Sequence, residues 1–252
     1  MDVREIEAED LSFSYEKGNR TLDHLSFFVQ KGQSVGLIGA NGAGKSTLLK
    51  LLVGLRLDYE GMISIGSLTV EKKNLPQIRS KLGYVFQDSD SQLFMSTVYE
   101  DVAFAPRNYG ISRAETDARV KRALELTGIT QLQDRRIHTL SGGEKKLASI
   151  ATILSMEPQM LLLDEPSVAL DPKNRRKLIH ILNDLPQTKL IASHDLDLIL
   201  ETCDRVILLS EGRIAADGPA KELLRDQALL EANGLELPLC LQGILQKNKF
   251  FC

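Results

Sequence analysis

Apolar and polar residues alternate near the start of the chain, where Ile6, Ala8, Leu11, Phe13 and Tyr15 are interleaved with charges. A period of two predicts an edge strand of an antiparallel sheet. Lys17, Gly18 and Asn19 make a turn, residues 22–29 the partner strand, and Lys31, Gly32 and Gln33 a second turn. The alternation then stops. Ser34–Ile38 is an apolar run that reads as a buried strand, and residues 46–52 read as a helix. Short strands are expected at 61–65, 68–70 and 82–86.

From residue 96 to 157 the pattern is helical. Ser112 and Glu115 have the spacing of a capping box, opening a helix that runs toward Leu126 and that Gly128 ends. Ser141 and Glu144 repeat that spacing ahead of helical residues 145–155. The helical block, about residues 88–157, interrupts a strand-rich chain and reads as a lobe of one domain over 1–225, with 226–252 as a C-terminal extension. Residues 160–163 and 190–193 are further buried strands, and Asp171 with Pro172 reads as an N-cap and first helical residue. Residues 205–217 read as a hairpin around Glu211 and Gly212, and 219–231 as helical. The tail has apolar patches at Leu237, Leu239, Leu241, Ile244, Leu245, Phe250 and Phe251, which suit either the body or a partner.

Composition narrows the class. A chain of 252 residues with 43% hydrophobic content makes one large domain, or a domain with a lobe. No apolar run approaches the roughly 18 residues of a spanning helix, and the first residues show no signal-peptide pattern. Cys203, Cys240 and Cys252 form no C-x-x-C, so reduced thiols in a cytosolic protein are expected. A net charge of −3 gives no global attraction to nucleic acid.

The chemistry concentrates at strand ends. Gly39, Ala40, Asn41, Gly42, Ala43, Gly44, Lys45 and Ser46 fit G-x-x-x-x-G-K-[ST], placed between a buried strand and a helix. Such a loop wraps its N–H groups around phosphate oxygens and adds the positive end of a helix. Lys45 is expected to reach the β- and γ-phosphates and Ser46 to hold Mg²⁺, with Thr47 next in the ATP-binding segment. Tyr15 falls near the P-loop side of the antiparallel sheet, where its ring suits either packing on the strand or stacking on an adenine. Gln87 ends a strand, where its amide suits Mg²⁺ or the attacking water. The apolar run 160–163 ends in Asp164 and Glu165, a Walker B form: Asp164 for Mg²⁺, Glu165 to polarise water. His194 ends the next strand, as a partner for transferred phosphate charge. Gly142 and Gly143 weaken a first helical turn by about 1 kcal/mol each. They suit a close approach to that end, such as a phosphate.

Tyr15, the P-loop, Gln87, Leu140 to Gly143, Asp164 with Glu165, Asp171 and His194 occur in an order that resembles the ATPase subunit of ATP-binding-cassette (ABC) transporters, over about residues 4–220. The resemblance implies an α/β P-loop NTPase core with an antiparallel β subdomain and a helical lobe. It implies a head-to-tail dimer of identical or closely similar subunits, each ATP lying between one P-loop and the partner's Ser141, Gly142, Gly143 and Glu144. Asp171 would lie on the loop crossing that interface, and His194 matches the family's switch histidine. The segment from Phe86 to Phe94 looks like the coupling loop of energy-coupling-factor ATPases, and residues 170–176, 193–198, 216–219 and 235–239 look like the cobalt/nickel uptake branch.

Three departures stand out: Glu144 for the commoner Gln, Lys146 for Arg, and Ser89 where the coupling loop often has Pro. A carboxylate near a nucleotide is disfavoured by like charge, unless it folds back on the Ser141 N–H as a cap. The reading is a Mg-ATPase at the cytoplasmic face of the membrane. It would work with a transmembrane coupling protein and a substrate-capture membrane protein, and without nucleic acid. Four scattered histidines and three cysteines offer no cobalt or nickel site, so metal specificity would lie in a partner. The rivals are a vitamin importer of the same architecture, a soluble ABC-type ATPase acting on nucleic acid or ribosomes, and an ATP-binding switch without turnover.

Overall fold

The computed structural model describes residues 3–16 and 18–242; Lys17 of the first turn and tail residues Ile244, Leu245, Phe250, Phe251 and Cys252 lie outside them. In chain order the elements are β1 (Arg4–Phe13), β2 (Leu22–Gln30), β3 (Ser34–Ile38), α1 (Lys45–Leu52), β4 (Glu60–Ile65), β5 (Leu68–Thr69), α2 (Leu75–Lys81), β6 (Leu82–Val85), α3 (Val98–Asn108), α4 (Arg113–Thr127), α5 (Gly142–Leu154), β7 (Met160–Asp164), α6 (Pro172–Asp184), β8 (Thr188–Ala192), α7 (Leu196–Thr202), β9 (Arg205–Ser210), β10 (Arg213–Pro219), α8 (Ala220–Leu223) and α9 (Gln227–Ala232). Contacts divide the chain into two units, Met1–Ile78 with Gln187–Cys252, and Arg79–Pro186.

The first unit holds an antiparallel sheet in the order β2-β1-β4-β5. The alternating strand is therefore interior, not an edge: β2 pairs on one side of it and β4 on the other. Alternation records one buried face, with Ile6, Ala8 and Leu11 inside, and says nothing of neighbours along the sheet. In the same unit β3 runs parallel to β8 and β9, and β10 returns antiparallel to β9. Every residue of β3 and β8 is buried, as parallel strands covered on both faces require. The expected hairpin forms around Glu211 (φ 48°) and Gly212 (φ 75°). The helical stretch after it is broken in two, because the Asp226 carboxylate accepts from the Leu229 N–H at 2.9 Å and starts α9. The N–H groups of Leu239 and Cys240 each donate to the Asp197 carboxylate on α7 at 3.0 Å, which fastens the start of the tail to this unit.

In the second unit β6 and β7 pair in parallel, and α3, α4 and α5 pack on one another. The Ser112 capping box is only half made. The Ser112 hydroxyl accepts from the Glu115 N–H at 3.3 Å, but the Glu115 carboxylate turns to Arg119 (2.8 Å) and Arg122 (3.3 Å). Gly128 ends α4 in the left-handed region, φ 57°. Neither α2 nor α7 stood out in the sequence.

Candidate active site

In the first unit, β3 delivers the chain into the phosphate loop. Gly39 has φ 151°, and a Cβ there would lie 2.3 Å from the Leu209 carbonyl oxygen, so no side chain fits. Gly44, at φ 103°, is the N-cap of α1 and brings no side chain of its own to cap it. The positive end of the helix therefore opens onto the loop, a setting that suits an anion. Lys45 is buried, and its ammonium donates to the carbonyls of Gly39 (2.6 Å) and Ala40 (3.2 Å). Asn41 and Gly42 are exposed at the loop's tip, while Ala43 is buried and Ser46 half-buried. Tyr15 lies within hydrogen-bond reach of this helix, its hydroxyl 3.2 Å from Thr47 Oγ1. Its ring is 51% exposed, edge-on to Phe13 at 4.9 Å and with the Arg56 guanidinium 5.4 Å from its centroid. His194 follows buried Ser193 at the end of β8, with its side chain exposed.

The second unit holds the carboxylates. β7 is wholly buried and ends at Asp164, 2% exposed, which accepts a hydrogen bond from the Tyr84 hydroxyl at 3.2 Å. Glu165 is also buried and adopts φ 48°, in the left-handed region. Gln87 follows β6 and is exposed. The Gln87 amide and Asp164 carboxylate here, like the Ser46 hydroxyl in the first unit, each carry a hard oxygen donor of the kind Mg²⁺ takes.

Ser141 and Glu144 form the full box at the start of α5. The Ser141 N–H donates to Glu144 Oε2 at 2.8 Å, and the Glu144 N–H to Ser141 Oγ at 3.3 Å. Arg135 Nη1 stands 3.7 Å from Glu144 Oε1, a second offset to its charge. At Gly143 an added Cβ would lie 3.3 Å from the Ala169 carbonyl oxygen, so what approaches this helix end closely within the chain is the loop after β7. Asp171 caps α6 as expected, accepting from Asn174 N–H at 2.7 Å with Pro172 next.

The sequence reading misses Tyr84 and gives Lys146 only as a departure from Arg. Tyr84 orients Asp164. Lys146 is 1% exposed and donates to the carbonyls of Phe86 (3.1 Å) and Gln87 (2.7 Å). Burial pushes its pKa down, against the opposing pull of Asp164, Asp88 and Glu165. The sign was available: Lys146 sits three residues after Gly143 and four before Ile150, on the buried stripe of α5.

Since the Glu144 carboxylate serves mainly as a cap, Glu144→Gln is expected to change unfolding free energy by less than about 1 kcal/mol. The apparent KM for ATP should stay level or fall. Thermal melts and steady-state kinetics check both, and a large rise in KM would mean that the carboxylate makes a contact turnover needs.

The family model described as ABC transporter matches residues 22–168. A Geobacter sulfurreducens protein with the provisional name ABC transporter ATP-binding protein is 47% identical over 94% of this chain and 96% of its own. The energy-coupling factor transporter ATP-binding protein EcfA of Carboxydothermus hydrogenoformans is 43% identical, over 93% of this chain and 87% of its own. The cobalt import ATP-binding protein CbiO of Rhodobacter capsulatus is 40% identical, over 97% and 89%. Among solved structures, CbiO1 of Clostridium perfringens, part of the ABC transporter complex CbiONQ, matches with TM-score 0.82 at 34% identity, covering 98% of this chain and all of that one. The chain belongs to the ABC transporter family, as one of its ATP-binding, ATP-hydrolysing members.

Proposed function

We propose that this chain powers an energy-coupling-factor importer of cobalt or nickel ions from the cytoplasmic face of the membrane. The observation that carries the reading is near-full-length similarity to EcfA and to a cobalt-import CbiO. Two copies, or a copy and a close paralogue, would meet head to tail, each ATP between one P-loop and the partner's Ser141 to Glu144. Lys45 and the loop N–H groups hold the phosphates, and Tyr15 stacks on the base. Ser46, Gln87 and Asp164 would hold Mg²⁺, which when bound would neutralise phosphate charge. Glu165 takes a proton from the attacking water, while His194 donates to phosphate oxygens. Asp171 faces the dimer interface.

Among the described residues no helix is long and apolar enough to cross a membrane, so in this reading transport runs through membrane partners. The loop after Gln87 supplies their seat. Leu93 is 6% exposed and belongs to the core, but its neighbour Phe94 is 64% exposed and stacks edge-on against Phe104 at 4.7 Å. Phe94 rims a groove of about 440 Å³ with Asp90, Met95, Arg136, His138 and Lys145. Lys145 is offset by Asp90 at 2.6 Å, and the aromatic rim with Arg136 suits a partner helix that is mainly apolar with an acidic residue.

The test is co-purification from detergent-solubilised membranes, with uptake of labelled Co²⁺ and Ni²⁺. The wild-type chain should bring down a coupling protein and a substrate-capture protein. Phe94→Ala should reduce recovery of the coupling protein about tenfold and leave ATP affinity of the isolated chain unchanged. A capture protein that binds a vitamin would move the substrate assignment, and full recovery by Phe94→Ala would remove the groove.

A further inference from the structure

Lys146 has more holding it than packing requires. Its ammonium, carried by the helix that begins at the Ser141 box, donates to two successive carbonyls, Phe86 and Gln87. It is not the only fastening. The Gln92 amide donates to the Ser149 carbonyl (2.7 Å) and Thr152 Oγ1 (2.8 Å) of α5, and its oxygen accepts from the Phe86 N–H at 3.0 Å. Lys145 pairs with Asp90 at 2.6 Å. Residues 86–92 are thus tied to α5 at three points, and Lys146 is the tie that reaches Gln87 itself, through its carbonyl.

A buried cation is retained only where its charge is balanced and its donors are used. Asp164, Asp88 and Glu165 supply the balancing charge, and the two carbonyls take the donors. A methionine of similar reach would fill the space but leave both carbonyls without this donor and three carboxylates without this cation. We infer that Lys146 is a positioning residue for hydrolysis: it fixes the backbone of Gln87 against the helix that starts at Ser141, and so sets where the Gln87 amide stands during turnover. The inference rests on the proposed roles of Gln87 and Glu165. Lys146 touches no nucleotide in this scheme and acts only through Gln87. Its loss therefore lowers turnover without weakening ATP binding.

The experiment uses the full chain and four variants: Lys146→Met, Lys146→Arg, Gln87→Ala and the double variant Lys146→Met/Gln87→Ala. Lys146→Met should lower kcat at least tenfold and leave KM and equilibrium affinity for ATP within twofold. Lys146→Arg, which keeps the charge and two donors, should recover at least a third of wild-type kcat. On the Gln87→Ala background, Lys146→Met should cost less than a further twofold, because both changes remove one function. Should Lys146→Met not fold, Lys146→Gln decides by the same split. If Gln87→Ala lowers turnover but folded Lys146→Met, or Lys146→Gln in its place, keeps kcat within twofold, the inference is overturned. A fall in kcat that multiplies with Gln87→Ala overturns it as well, since Lys146 would then act elsewhere. Wild-type turnover in Gln87→Ala would instead sink the catalytic reading of Gln87.

Discussion

Glu165→Gln is expected to bind ATP normally and to lose nearly all hydrolysis. Glutamine keeps the shape and the hydrogen-bonding reach of the side chain but has no basic oxygen for the proton of the attacking water. Loss of a general base lowers rates by about 10² to 10⁴. Asp164 and Lys45 are untouched, so affinity should stay within a few-fold of wild type. With turnover blocked, bound nucleotide should hold two subunits together, visible as an ATP-dependent shift to dimer by size-exclusion chromatography. The assay is phosphate release beside nucleotide binding on the same preparation. A wild-type rate would take Glu165 out of the catalytic role, and loss of binding would make it a structural group.

Lys45→Ala should fail one step earlier. The Lys45 ammonium spans the loop onto the carbonyls of Gly39 and Ala40, where its positive charge sits inside the curl of the chain. A phosphate entering that curl gains a charge-assisted contact worth about 1.5–3 kcal/mol, which corresponds to roughly 10- to 100-fold in affinity. The variant should therefore bind ATP at least tenfold more weakly by calorimetric titration, and hydrolysis should fall with it. Since α1 keeps its buried face of Leu48, Leu49, Leu51 and Leu52, the fold should persist by circular dichroism. Unchanged affinity would mean that the loop amides alone hold the phosphates.

The local features were legible in sequence because each depends on a few adjacent residues. The P-loop needs only its glycines, Lys45 and the flanking strand and helix. Ser141 with Glu144, and Asp171 with Pro172, are local hydrogen-bonding devices, and they form as their spacing predicts. What escaped was long-range or competitive. Alternation in β1 could not tell an interior strand from an edge, because the second neighbour, β4, arrives some fifty residues later. α2 and α7 have only seven residues each, too short for a clear period. Glu115 had two possible partners, and nearby arginines won over the cap. Leu93 and Phe94 look alike in a sequence, yet one is core and the other surface. Lys146 shows the same limit: a lone charge on an apolar stripe signals a buried partner without naming it.

The backbone at Glu165 is itself strained. At φ 48° a residue with a Cβ sits about 1–2 kcal/mol above its relaxed state, a cost that glycine escapes. Immediately before it, five buried residues of β7 anchor the chain and hold that conformation in place. For folding alone, glycine would be the better occupant of position 165. Asp10, His24, Glu157 and Glu211 share that conformation, so strain alone does not mark chemistry; at Glu165 it coincides with a buried carboxylate at the end of a buried strand, where the proposed water-activating group stands.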